Sequence, residues 1–359
     1  MAAPDFQNES MISVFSLRLP PTAGGMERQT LIQSLELQKH EKTAVYSVSA
    51  DPSQITGLKR LYCTREYNGI ASKEINALNI FFRAILSKDF WNSEIIYIHQ
   101  FNILAWFLIL LCRWRNVKIF CKIANTGLRF DLRTFFDRYS ILRFTVKFLR
   151  AKKIKFLILS PSVREEFRQY GVSDNQIINF RNGVVVKRGF RVQNSSTNKV
   201  LFVGRIEPIK RVDLILKLAA RLENFQFDCY GGGSLIQAML SEVNSMGLTN
   251  LKFHGEVSNS DISYEEYDWL ILPSIAEGMS NAVLEGIAAS VGIVARDIPA
   301  NEFISALTKK YYLFKEEQLD DVVLNLTECK KSGKPTHMFD TYDIRSVVKD
   351  FLILCQHET

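Results

Sequence analysis

Three stretches in the second half of the chain combine residue types that can hold a phosphate and bind sugar hydroxyls. The first is Val203-Gly204-Arg205-Ile206-Glu207-Pro208-Ile209-Lys210-Arg211. An apolar run ends at Gly204, and Pro208 suits the first turn of a helix, so Arg205 and Lys210 fall on a strand-to-helix loop. Two cations there can neutralise a diphosphate, Arg through its planar fork and Lys as a point charge. Local spacing alone leaves a solvated basic loop as an equal reading. The second stretch, Cys229-Tyr230-Gly231-Gly232-Gly233-Ser234-Leu235, sets glycines between a strand and a helix. Gly231 and Gly233 would let backbone approach a ligand, and a helix N-terminus favours negative charge. Position 236 is Ile, so this is not the dinucleotide Gly-x-Gly-x-x-Gly, and many such turns use glycine structurally.

The third stretch runs from Pro273-Ser274 through Glu277-Gly278-Met279-Ser280 to Glu285. A buried-type strand ends at Pro273-Ser274, and a helix is expected to start near Met279 or Ser280. Glu277 then precedes the helix, Glu285 lies near its second turn, and the N–H groups of Gly278, Met279 and Ser280 are open to a ligand. Glu277 can equally be a capping carboxylate. Glu285, amid Ala282, Val283, Leu284, Ile287 and Ala288, is a less natural exposed helix position. In the first half, Gly24-Gly25 follows an apolar run and opens a helical stretch over 26–37. His99 ends a strand over 95–99, which puts it at the rim where ligands of parallel sheets bind. A lone His is otherwise more often structural.

These residues need strands and helices to place them. Short apolar runs (11–17, 43–48, 95–99, 117–123, 156–160, then 200–204, 225–230, 251–253, 269–273, 292–295) alternate with stretches of helical period such as 212–222 and 235–246. That alternation predicts parallel sheets covered on both faces. It occurs twice, on either side of the polar, Ser/Asn-rich stretch 188–199. The expected organisation is therefore an α/β chain of two doubly wound, Rossmann-like domains facing a central cleft: 1–188, a linker at 189–198, 199–335, and a last helix within 336–359 that returns to the first domain.

Composition agrees with a globular chain: 47% hydrophobic and 23% charged residues over 359. The six Cys are scattered without a Cys-x-x-Cys pair and there are 5 His, which argues against a zinc framework. Reduced, buried thiols are expected. No secretory signal is visible, and the longest apolar run, 103–112, is about half the roughly 20 residues that a spanning helix needs. A cytoplasmic chain, soluble or peripheral on the inner face of the plasma membrane, is expected.

The ordered set Gly204-Arg205…Lys210, the turn at Gly231–Gly233 and Glu277-x7-Glu285, with Gly24-Gly25, His99 and Asn182-Gly183-Val184, resembles the retaining glycosyltransferases of family 4, of GT-B fold. The likeness is strong over 199–302 and loose before residue 156. It implies that Arg205 and Lys210 bind the donor diphosphate, that Glu285 binds ribose hydroxyls, and that Glu277 contacts the donor sugar beside Gly278, Met279 and Ser280. Gly204, Gly231 and Gly233 would line the donor, the segment through Val257 would lie against the base, Gly24 and Gly25 would approach from the other domain, and His99 would face the reacting sugar. His99, Arg205, Lys210 and Glu277 are thus the implied catalytic set. No Asp-x-Asp occurs, so no metal and no cofactor beyond the nucleotide-sugar donor is expected.

Charge adds a partner. Residues 1–195 hold 29 Lys+Arg against 15 Asp+Glu, whereas 196–359 hold 16 against 23. Within 113–155 there are 13 Lys+Arg against two acids, with aromatics interleaved. Over 133–153, Phe135, Tyr139, Leu142, Val146 and Leu149 share one helical stripe and Arg143, Lys147 and Arg150 a neighbouring one. Arg143, Lys147, Arg150, Lys152 and Lys153 are the expected contacts of an anionic membrane or acceptor. An ordinary core-facing helix with a solvated basic side is the equal reading. Nucleic acid is not expected as a partner, since no recognition motif accompanies the charge.

The expected activity is transfer of a hexosyl group from a UDP- or GDP-linked sugar, with retention, to a lipid-linked glycan in surface polysaccharide synthesis. Another GT-B enzyme, such as a nucleotide-sugar epimerase, or a non-catalytic nucleotide-sugar-binding homologue are the alternatives.

Overall fold

The computed structural model describes residues 10–20, 24–123, 130–161, 163–186, 197–257, 261–328 and 337–357. The chain divides into two compact units, one of residues 1–183 with 344–359 and one of residues 184–343. Of the linker expected at 189–198, only Thr197 and Asn198 are among the described residues.

The first unit runs β1 (Met11–Phe15), α1 (Gly25–Leu37), β2 (Lys42–Ser49), β3 (Leu61–Arg65), α2 (Ser72–Ile85), α3 (Lys88–Trp91), β4 (Ile95–Ile98), α4 (Ile103–Cys112), β5 (Lys118–Ile123), α5 (Asp131–Arg138), β6 (Ile154–Ile158), α6 (Val163–Arg168) and β7 (Ile177–Asn179). The second runs β8 (Lys199–Val203), α7 (Asp213–Arg221), β9 (Gln226–Tyr230), α8 (Ile236–Met246), β10 (Leu251–Gly255), β11 (Trp269–Leu272), α9 (Asn281–Ala288), β12 (Gly292–Arg296), α10 (Pro299–Ser305), β13 (Tyr311–Phe314) and α11 (Leu319–Glu328). The chain then re-enters the first unit through α12 (Ile344–His357).

Both sheets are parallel throughout, in the orders β3-β2-β1-β4-β5-β6-β7 and β10-β9-β8-β11-β12-β13. The fold class is as expected: α/β, with two doubly wound sheets. Each sheet is covered on both faces, so its central strands are apolar without interruption, as in β1 and β11, where every residue is buried. Side chains alternate between two cores in the first unit. Phe15, Ile96, Ile119 and Phe156 face the layer of α2, α4, α5 and α6, while Ile12, Val14, Phe120 and Leu157 face α12 through Val347, Val348 and Phe351. Strand order reverses between β1 and β4 and again between β8 and β11, which are the switch points where such sheets open toward ligands.

The expected basic helix over 133–153 is interrupted. α5 stops at Arg138, Tyr139 leaves helical geometry (φ −119°, ψ 57°), and residues Ser140–Arg150 continue as a 3-10 segment. Its apolar stripe turns inward: Phe135 and Leu149 are buried, with Tyr139, Leu142 and Val146 packed on the same core.

Candidate functional site

The switch point of the second sheet gathers the three stretches. β8 delivers Gly204 to Lys210, β9 delivers Gly231 to Gly233, and β11 delivers Ser274 to Ser280. Pro208–Lys210 forms one 3-10 turn with Pro at its start, and Arg211 ends it in a left-handed conformation (φ 48°). The loops are tied to one another by backbone. Ile275 N–H donates to the Ile209 carbonyl at 3.0 Å, Ile206 N–H to Gly232 at 2.7 Å, and Leu235 N–H to Ile206 at 3.0 Å.

This packing explains two of the glycines. A Cβ at Gly231 (φ +132°) would stand 2.1 Å from the Gly204 carbonyl oxygen, and one at Gly233 (φ +152°) 2.4 Å from that of Ile206. The sequence suggested that they bring backbone to a ligand. Their immediate neighbour is the loop that carries Arg205, so their first effect is to set that loop in place. Glu207 adds a second tie, its carboxylate accepting from Ser234 N–H at 3.0 Å and from Ser234 Oγ at 2.9 Å.

Lys210 and Glu277 meet directly. The Lys210 ammonium donates to Glu277 Oε1, with both side chains more than four-fifths buried. Arg205 is exposed and makes no ion pair with a described residue. Gly278 is half-buried, Met279 and Ser280 are buried, and Ser280 caps α9, its Oγ accepting from Val283 N–H at 3.5 Å. The helix thus begins where the sequence placed it, with Glu277 just ahead of it. Glu285, half-buried within α9, accepts from Tyr264 Oη at 2.7 Å. Val257, past the end of β10, is exposed. Just before it, His254 stacks on Tyr230 (4.5 Å, 12° between planes) and meets the buried Asp228 carboxylate at 2.6 Å.

Sequence reasoning missed Tyr264, Tyr311 and Arg211. Tyr264 is buried and orients Glu285. The buried Tyr311 hydroxyl, without a hydrogen-bond partner among the described residues, is pushed up in pKa by burial and then by the charge of Glu277. Arg211 stands beside Lys210 in sequence but is engaged elsewhere. Its guanidinium grips Asp213 (2.8 and 2.9 Å) and Glu316 (2.5 and 2.7 Å), and Arg296 joins at 3.0 Å. Those hydrogen bonds raise the Arg211 pKa, and Arg211 in turn holds Glu316 down at about 2. Only the pattern of acids at 213 and 316 could have signalled this, and 316 is too distant in sequence to read.

The first unit has its own switch point. Gly24 is extended ahead of α1 and Gly25 opens that helix. His99 follows β4, its N–H donating to the Phe15 carbonyl at 2.9 Å. His99 thus stands at the carboxyl end of its strand, but it is 1% exposed, and neither ring nitrogen has a hydrogen-bond partner among the described residues. Cover comes from above the sheet. Tyr97 lies 4.4 Å from the His99 ring and stacks on Phe351 of α12 at 4.3 Å, while its hydroxyl joins Gln33 of α1 at 2.8 Å. Lys122 of β5 is wholly buried nearby, its ammonium 5.9 Å from the centre of the Phe180 ring and without a hydrogen-bond partner among the described residues, and burial pushes its pKa down to about 7. Burial first, and then the charge of Lys122, hold His99 well below its ordinary value.

The expected membrane contacts divide. Arg143, Lys147, Arg150 and Lys152 are exposed. Arg143 pairs with Asp137 at 2.9 Å and Arg150 donates to the Tyr170 carbonyl at 3.3 Å. Lys153 is occupied inside the fold, donating to the carbonyls of Cys112, Arg113 and Arg115 at 2.6–2.9 Å, where α4 ends.

Residues 197–329 match the family described as glycosyl transferases group 1. An O-antigen biosynthesis glycosyltransferase of Escherichia coli, WbnH, is 28% identical over 136 residues, 38% of this chain and 39% of that protein. A Campylobacter jejuni alpha-1,4-N-acetyl-D-galactosaminyltransferase, whose name gives a diphosphoundecaprenol-linked glycan, is 35% identical over 95 residues, 25% of this chain and 26% of that one. The matches to these relatives therefore span well under half of their length. Among solved structures, Anabaena HepE in complex with UDP and glucose superposes with a TM-score of 0.72 at 10% identity, over 97% of this chain and 100% of that one. The lipopolysaccharide outer core galactosyltransferase WaaB, in its apo form, does so at 0.63 and 16%, over 96% and 99%. The fold is thus the GT-B type, and within the second unit residues 197–329, which carry Lys210, Glu277 and Glu285, match the group 1 glycosyl transferases.

Proposed function

We propose that this chain is a glycosyltransferase that moves a hexosyl group from a UDP- or GDP-linked sugar to a lipid-linked glycan, retaining anomeric configuration and using no metal. The observation that carries the reading is the Lys210–Glu277 pair at the switch point of the second sheet, with Glu285 on the helix that follows. Departure of a nucleoside diphosphate needs its charge neutralised as the glycosidic bond breaks. Lys210 and Arg205, which makes no ion pair with a described residue, supply that charge from a loop tied by three backbone hydrogen bonds to its two neighbouring loops. Glu285, oriented by Tyr264, receives ribose hydroxyls, and Glu277 receives those of the sugar.

Support for the donor comes from HepE, solved with UDP and glucose, and for the acceptor from the diphosphoundecaprenol glycan in the Campylobacter name. The exposed cations Arg143, Lys147 and Lys152 would draw the chain to the anionic inner face of the plasma membrane, at roughly 1 kcal/mol each. The test is Lys210→Ala and Glu285→Ala, made separately, with donor turnover and nucleotide binding measured for each. Undiminished turnover in both refutes the site. Sugar interconversion without any acceptor would make the chain an epimerase instead.

A further inference from the structure

α4 has the sequence Ile-Leu-Ala-Trp-Phe-Leu-Ile-Leu-Leu-Cys, without a polar side chain. Ile103, Leu104, Ala105, Leu108, Ile109 and Cys112 face the core and are buried. The other side of a surface helix is ordinarily polar. Here it consists of Trp106, Phe107, Leu110 and Leu111, all half-buried.

The neighbours of α4 extend that apolar face. α2 lies against it, with Phe81 and Phe107 at 5.6 Å, and shows Phe82 at 54% exposure and, just past its end, Leu86 at 84%. On the other flank the 3-10 segment Ser140–Arg150 is joined by a Trp106 Nε1 to Thr145 Oγ1 hydrogen bond of 3.0 Å, and shows Ile141 at 80% and Phe144 at 70%. Trp114, in the turn after α4, is 82% exposed with the Arg113 guanidinium 4.1 Å above its ring. Exposed cations border the face: Arg83 on α2, Arg113, and Arg143, Lys147 and Arg150 on the 3-10 segment.

We propose that the α2–α4–3-10 face seats in the interfacial region of an anionic bilayer, with Phe82, Leu86, Trp114, Ile141 and Phe144 entering among the acyl chains and the bordering cations meeting lipid phosphates. Charge complementarity selects this occupant: an apolar centre with a cationic border matches a surface whose interior is hydrocarbon and whose headgroups are anionic. No helix of the described residues is long and apolar enough to cross a membrane, so the face lies in the surface. This deepens the membrane part of the proposed function and rests on it for the occupant. It adds a hydrophobic anchor, of which Phe82 and Leu86 lie outside the basic stretch.

The test is flotation of the whole chain with vesicles of phosphatidylcholine alone and of phosphatidylcholine with phosphatidylglycerol, at low and high salt. Wild type is expected to float with the anionic vesicles and to keep part of that binding at high salt. The variant F82S/L86S/F144S, whose exposed positions leave the melting curve in place, is expected to lose about ten-fold in partitioning at either salt. Tryptophan emission should shift to the blue on binding, and Trp114→Phe should remove most of that shift. Complete release by salt with no effect of the serines overturns insertion while the electrostatic membrane contact stands. Absence of flotation with any vesicle overturns both. Self-association abolished by the same serines, without flotation, makes a second copy the occupant and also overturns the proposal.

Discussion

Lys210 has two claims on its charge: the Glu277 carboxylate that it touches and the diphosphate proposed to arrive beside it. If the second claim carries the chemistry, Lys210→Ala should lower turnover by about 10²–10³, the usual loss for one preorganised donor to developing negative charge. Glu285→Ala should act on nucleotide affinity, weakening it by about ten- to a hundred-fold, as for charge-assisted hydrogen bonds. Tyr264→Phe should produce a smaller loss in the same assay, because it removes one hydrogen bond to Glu285 and leaves the carboxylate. Calorimetry with the nucleoside diphosphate and steady-state turnover separate these effects.

Lys122 makes a residue-scale prediction about stability. Its folded pKa is about 7 against an ordinary 10.5. Between those values the unfolded chain holds a proton that the folded chain lacks, so the contribution of Lys122 to stability rises with pH across that window and is lowest beneath it. His99, likewise depressed, adds a loss as pH falls below its ordinary 6.5. Lys122→Met should therefore raise stability near neutral pH and flatten the alkaline rise while leaving the acid limb. Urea unfolding followed across pH checks this.

At the scale of elements, the glycine turn after β9 is the sharpest case. Gly233→Ala would force a Cβ against the Ile206 carbonyl at a backbone conformation that L-residues rarely adopt, so a loss of roughly 2–4 kcal/mol is expected, with donor binding falling in parallel as the 204–210 loop shifts. Gly247, equally left-handed but with open space around its Cβ position, should lose only about 1 kcal/mol on the same change. Thermal melts of the two variants give the comparison.

Elements also show what the sequence could reveal. Central strands were legible because burial on both faces leaves nothing but apolar runs, as in Ile95–Ile98 or Trp269–Leu272. The strands that escaped, β3, β7 and β13, all lie at sheet edges. An edge strand is covered less, so Leu-Tyr-Cys-Thr-Arg, Ile-Ile-Asn and Tyr-Tyr-Leu-Phe carry weaker signals. The start of α9 was legible because Ser280 is a local cap. The burial of His99 was not, because its cover comes from Phe351 by way of Tyr97, and from α1, far away in sequence. For the same reason the break at Tyr139 was hidden inside a run of helical period.

At the scale of the whole molecule, charge and burial assign work to different parts of the chain. The excess of basic residues lies in the first 195 positions and the excess of acids after them, so association with anionic vesicles should weaken as salt rises. The first unit also depends on α12, which buries Val347, Val348 and Phe351 to 1% exposure. Removing residues 344–359 would strip one face of the first sheet and cost about 5 kcal/mol or more, on the order of a domain's whole stability. The truncated chain should show the first unit exchanging its amide hydrogens freely while residues 184–343 keep their protection.

That return of the chain also sets an order of events during synthesis. Residues 184–343 are contiguous and can close as soon as they leave the ribosome, whereas the sheet that begins at Met11 must wait for Phe351. At bacterial or slower elongation rates the wait lasts on the order of ten seconds. For that interval a row of valines and phenylalanines stands uncovered on the nascent polypeptide, which makes the earlier-translated half the later one to mature and a natural client for a chaperone stationed at the exit tunnel.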